Sequence, residues 1–331
     1  MKLDELRAAL GKYDDETIKK IAVELYKMIP RAQKENNNLD EYLLNYTQEK
    51  NAPAKKDAPV NFNELKPEIE RFLDYAYMQY YFAPNKHVRK EKRSKWRFEV
   101  KRFIKDLIRI GGENSEEAGD LLVGIYNMLS YGCNYYIFST ENPFSSVGYE
   151  QTELLALVLN KIFYSGFTKE AIKKAVFLTL DSNVNPNTIH MELMYVFTDI
   201  LKTTDTKEAA LEQCVAYRNE YDLYQDSKKI FKYAKTDGFR RKEHKNQAVD
   251  LYLMIKISLH EYDEGILYYW LNAEQGDREI KLYRLLVYFL GKDEEKLISL
   301  WIREYEKAVA TGVKPREYLQ KEYEKRKEKQ V

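Results

Sequence analysis

Cations carry most of the chemistry legible in this chain. From Lys86 to Arg109, eleven lysines and arginines are opposed only by Glu91, Glu99 and Asp106. Arg93, Arg97, Lys101 and Lys105 recur four residues apart, which sets them on one face of a helix, with Arg89 and Lys90 just ahead. Trp96, Val100, Phe103, Ile104, Leu107 and Ile108 form a separate apolar stripe at helical spacing. A helix over about 88–110, closed by Gly111 and Gly112, would turn the stripe to a core and the charge to water. Such a row suits phosphates, because each one neutralised releases a counterion. A second basic segment, 228–245, ends in Arg240, Arg241, Lys242 and Lys245. Three uses of this charge stand open: a solvated face paired with acidic neighbours, sequence-independent phosphate or nucleic-acid contact, or an acidic protein partner. No base-reading motif accompanies it, so sequence-specific recognition is not expected.

Other candidate chemistry is weaker. Asp181, Asn183, Asn185 and Glu192 sit where a calcium loop places oxygen donors, but Pro186 occupies the position that needs a glycine. Proline is locked near a φ of about −65°, which favours an Asn-rich turn with Asn187 or Thr188 capping the next helix. His87, His190, His244 and His260 are scattered and have no nucleophile or metal-ligand spacing beside them. Cys133 and Cys214 are too few for a disulfide framework or a zinc site. There is no phosphate-cradling glycine loop and no His-Glu-x-x-His run. No cofactor or metal is expected, and the pattern leans away from an enzyme.

The elements that must position these residues are helical throughout. Hydrophobic residues make up 44% and charged residues 32% of the 331, with 13 glycines and 8 prolines, which suits helices joined by short turns. No apolar run approaches the roughly 20 residues of a membrane span, and with few cysteines a cytoplasmic setting is expected. Asp14 or Asp15 is placed to cap one helix and Asn61 or Asn63 another, whose stripe is Leu65, Ile69, Phe72 and Tyr80. Residues 50–60, rich in Pro, Ala and Lys, read as a linker. The spacing predicts an N-terminal unit over 1–49, a helical body over 61–240, and hairpins with a charged last helix over 241–331. Residues 138–148 read as a loop.

An internal repeat organises the last part. Val249–Leu271 aligns without gaps on Ile280–Ile302, pairing Leu251 with Leu282, Tyr252 with Tyr283, Leu259 with Leu290 and Trp270 with Trp301. Each copy reads as helix, polar turn, helix, so Trp270 and Trp301 are expected to be equivalent and buried. The fold class is all-α: helical hairpins stacked as an α-solenoid-like array, with no sheet. This architecture resembles the tetratricopeptide-like class, although the period and the Ala and Pro positions differ. Leu3–Leu10, Glu24-Leu25-Tyr26 and Tyr80-Tyr81-Phe82 ahead of a basic helix resemble bacterial all-helical families with no activity to carry over. The expected function is non-enzymatic binding of a macromolecule, a protein partner first. The alternative is nucleic acid held by residues 86–109 and 228–245, and the third reading an enzyme of unfamiliar type. No membrane partner is expected.

Overall fold

A computed structural model describes residues 8–29, 60–83, 87–89, 94–227, 238–274, 276–292 and 294–329, with the side chains of 222–227 and 238–240 excluded. The linker residues 50–59 lie outside this set, as do Lys90 and Arg93. Two compact units are present, Met1–Pro59 and Val60–Val331. In the first, α1 (Asp15–Met28) is capped by Asp14, which accepts from the Thr17 amide, and has no buried residue. No strand occurs among the described residues.

The second unit is a sequence of packed helices: α2 (Phe62–Tyr77), α3 (Trp96–Arg109), α4 (Ser115–Asn134), α5 (Pro143–Val147), α6 (Gln151–Ile162), α7 (Lys169–Leu180), α8 (His190–Ile200), α9 (Thr204–Ser227), α10 (Gly238–Ser258), α11 (Tyr262–Asn272), α12 (Arg278–Arg284), α13 (Glu295–Ala310) and α14 (Glu317–Glu328). Helices α2, α4, α6, α8 and α10 each pack on the next, while α7 packs on α9. Sequential neighbours also pair, as α9 with α10 and α10 with α11. This alternation stacks helical pairs around one continuous core running from Phe62 to Leu319. Helix α10 passes unbroken through residue 240.

Boundaries follow burial more than propensity. Helix α3 begins at Trp96, not near Val88, although the charged residues before it are good helix formers. From Trp96 onward Val100, Phe103, Ile104 and Leu107 are buried with it, a set that contributes on the order of 10 kcal/mol of apolar burial. Ile108, expected in that stripe, is exposed instead. Tyr80 also departs from expectation: α2 ends at Tyr77 and Gln79 takes a φ of 63°, which turns the chain outward and leaves Tyr80 exposed. The expected loop over 138–148 contains the short helix α5, capped by the Asn142 side chain.

Each repeat copy folds as helix, turn, helix, but the two differ in detail. In the first, Lys256 clamps the turn through Glu261 at 2.5 Å and Glu264 at 2.6 Å. Burial opposes its charge, yet these hydrogen bonds outweigh burial and raise its pKa. In the second, Val287 replaces Lys256 and Leu285–Phe289 widens into a π-helix. Gly291 follows it, and a Cβ there would collide with the Val287 carbonyl, so only glycine fits.

The inward stripe shifts between the copies as well. Helix α11 buries Tyr262, Gly265, Ile266 and Tyr269, whereas α13 buries Leu297, Trp301, Ile302, Glu304, Tyr305 and Ala308. Leu297 is the counterpart of Ile266, but the stripe then runs through Trp301, the counterpart of Trp270, rather than through the counterpart of Tyr269. That is a displacement of one residue, or about 100° around the helix. Trp301 is 2% exposed, while Trp270 is only half-buried. The two tryptophans are therefore not equivalent in burial.

Candidate functional site

The displaced stripe leaves an open groove. A cavity of about 580 Å³ lies among α11, α12 and α13, floored by Ile266, Leu267, Trp270 and Ala308. Arg278, Lys281, Arg303 and Lys307 stand around it with Asp263 and Glu304. A second hollow of about 490 Å³, lined by His260, Tyr262, Lys296 and Leu300, shares Asp263 and Arg303 as its wall. Arg303 spans the groove, reaching Asp263 at 2.5 Å and Glu304 at 3.1 Å. Lys307 meets the buried Glu304 at 3.0 Å. Arg278 bonds the Thr311 hydroxyl at 2.9 Å, and neither it nor Lys281 meets an acid among the described contacts. Cationic charge therefore exceeds acidic charge at the rim. Leu267 and Leu271, 59% and 74% exposed, extend the apolar floor outward along α11.

None of these groove residues stood out in the sequence as a site. The available signal was the i, i+4 pair Leu267 and Leu271 beside Trp270, a second apolar face on a helix whose first face was already filled by Ile266 and Tyr269.

The expected cationic row is only partly assembled. Arg89 is exposed, and Arg93 and Lys90 lie outside the described residues. Because α3 starts at Trp96, the row on the helix is Arg97, Lys101 and Lys105. Arg97 is half-buried, its guanidinium 5.2 Å from the centre of the Trp96 ring. Lys101 directs its ammonium over Gly148, at the carboxyl end of α5, where the helix dipole favours a cation. Lys105 is exposed. Arg102 is tied to Glu68 at 2.5 Å. Phe98 projects from the same helix, 75% exposed. In α10, Arg241 and Lys242 are exposed and Lys245 is half-buried, while Arg240 occupies the first turn.

The Asn-rich turn is spent on hydrogen bonds inside the protein. Asn185 is buried, its amide nitrogen 3.1 Å from both Gln151 Oε1 and Thr188 Oγ1, and its Oδ1 accepts from the Asn187 amide at 2.8 Å. Asn183 Oδ1 accepts from Asn134 at 2.6 Å, and Gln151 Nε2 donates to the Asn183 carbonyl at 2.8 Å. The Tyr126 hydroxyl, buried beside Ser182 and Gln151, has its pKa pushed up to about 12 by burial. Of the oxygens a calcium ion would need, those of Asn183 are thus committed to α4 and α6, Asn185 Oδ1 to the turn itself and Glu192 Oε2 to the Ile189 amide. Helix α8 starts one or two residues later than expected, with Ile189 rather than Asn187 or Thr188 at the cap position.

Burial also disarms the nucleophiles. It pushes the Cys133 thiol up to about 12 and Cys214 higher still, so neither is a ready thiolate. Lys161 donates to the Ile110 carbonyl, and burial lowers its pKa. His244 Nδ1 lies 3.1 Å from the Leu180 carbonyl, and His260 Nδ1 lies 2.7 Å from the Tyr262 hydroxyl. Both ring nitrogens of His190 are closed off from water; burial, with a smaller push from His244, lowers its pKa to about 4. Among the described residues, no three His, Cys, Asp or Glu side chains gather to hold a metal ion. No described helix is long and apolar enough to cross a membrane. No family model, curated protein or solved structure matches the chain.

Proposed function

We propose that the protein is a non-catalytic binding scaffold, a stack of helical hairpins that holds a protein partner in the groove among α11, α12 and α13. The carrying observation is the open groove with an apolar floor around Trp270 and a net cationic rim. Its natural complement is a helical segment with an apolar face and acidic flanks, since a half-buried tryptophan beside exposed leucines offers the anchor pocket such a helix needs. Selection of displayed peptides on the full chain tests this. Binders enriched in Leu or Phe with Asp or Glu are expected, and paired reversal of Lys281 and Lys307 to Glu should weaken them at least ten-fold. Selected peptides indifferent to both those reversals and Trp270→Ala would remove the groove from the reading.

A second reading is favoured by a different observation: Arg97, Lys101 and the exposed Phe98 share one helix, with Lys95 at its start. Under it, α3 makes sequence-independent contacts to nucleic-acid phosphates. Affinity should fall steeply with salt, and paired reversal of Arg97 and Lys101 to Glu should abolish it.

A further inference from the structure

The turn after α2 and the end of α4 expose an unusual number of aromatic rings. Tyr80 is 66% exposed, Phe82 41% and Tyr136 75%. These rings are held in place. Phe82 meets Tyr136 edge to face, with centroids 6.2 Å apart, and Tyr80 stacks on Tyr75 at 4.9 Å. Gln79 donates its side-chain amide to the Tyr136 carbonyl at 2.9 Å, pinning one exposed segment to the other. An open aromatic surface of this kind has no use in a packed core, and keeping rings in water forgoes the gain from burying them.

The same surface adjoins the cationic start of α3. Two residues beyond Tyr136, Phe138 stacks on Trp96 with centroids 4.0 Å apart, and Arg97 lies over the Trp96 ring. Lys95, exposed, precedes Trp96.

We propose that this aromatic shelf, with Lys95 and Arg97 at its edge, binds single-stranded nucleic acid by stacking unpaired bases while the cations hold phosphates. The proposal rests on the phosphate reading of α3 and narrows it to one kind of strand. A duplex hides its base faces, so it could use only the cations. A single strand offers a ring face at every residue, and stacking on aromatic side chains is tolerant of sequence.

The test is fluorescence anisotropy on the full chain at about 50 mM salt, where phosphate contacts are strong. Labelled thymidine and uridine oligonucleotides of roughly 20 residues are compared with a duplex of equal length and with heparin. Single strands should bind at least ten-fold tighter than the duplex. Tyr136→Ala and Phe82→Ala should each weaken them about ten-fold, while Tyr136→Phe, which keeps the ring, should not. Unchanged thermal melting of these variants separates lost contact from lost fold. Equal affinity for strand, duplex and heparin, or indifference to both alanine variants, overturns the shelf and leaves the phosphate reading standing. Absence of binding by every polyanion overturns both. A preference between thymidine and uridine strands, which differ both at the sugar 2′ position and at the base C5 methyl, supports the shelf in either case.

Discussion

Trp301 donates its indole N–H to the carbonyl of Leu286 at 2.9 Å, inside the π-helical turn that ends the first helix of the second repeat copy. The bond ties α13 to the widened turn at a point shut off from water. Trp301→Phe keeps most of the packing and removes the donor, leaving a buried carbonyl short of a partner. A loss of about 1–3 kcal/mol follows, read as a melting temperature lower by roughly 2–8 °C. Trp270→Phe should move it by much less, since Trp270 is half-buried. Equal shifts in the two variants would mean that the difference in burial has no energetic weight.

Gly291→Ala should be among the most damaging single-methyl additions. The new Cβ would meet backbone rather than a yielding side chain. A destabilisation of about 2 kcal/mol or more is expected, measurable by chemical denaturation with an unchanged slope against denaturant.

Gln151 is the hub of the buried polar cluster. Gln151→Leu removes the acceptor of the Asn185 backbone amide and one partner each of the Asn185 side-chain amide and the Asn183 carbonyl, which keep Thr188 and Ser130, so a loss of about 1–3 kcal/mol is expected. Calcium at millimolar concentration should leave the melting temperature of the unaltered protein where it is, because the same oxygens are already committed. A calcium-dependent rise would show that the turn can reopen.

The pH dependence carries two opposed contributions. His190 has a folded pKa near 4, below its ordinary value, so it gives stability that is fully present above about 6.5 and is lost as pH falls toward 4. Asp250 lies buried against Arg284; burial pushes its pKa up to about 6, partly offset by the guanidinium. Its contribution is greatest below about 4 and declines as pH rises through 6. Subtracting the stability curve of His190→Gln from that of the unaltered protein should therefore leave a difference that falls with acid between pH 6.5 and 4. A flat difference would show that the imidazole charges without penalty.

Helical periodicity made the elements legible, and caps such as Asp14 and Asn61 could be named within a residue or two. The start of α3 was not, because Lys, Arg and Glu favour a helix equally on either side of Trp96, and burial alone selects the boundary. Tyr80 misled for a related reason: its spacing continued the α2 stripe, while the left-handed turn at Gln79 closes the helix through a Tyr80 N–H to Tyr75 carbonyl bond and is pinned by the Gln79 side chain to the Tyr136 carbonyl, far along the chain. The candidate groove was illegible for a different cause. It arises from how far α11 and α13 are each rotated about their own axes, and two segments aligned residue for residue carry no sign of that.

That rotation bears on register. A row of hairpins presenting identical faces would offer a partner helix several equally good seats, one for each step, and occupancy would be smeared along the row. Turning the second helix of one hairpin by a single position breaks that degeneracy without altering the length of the unit. Under the scaffold reading, duplication supplies the wall, and the rotational offset supplies an address on it.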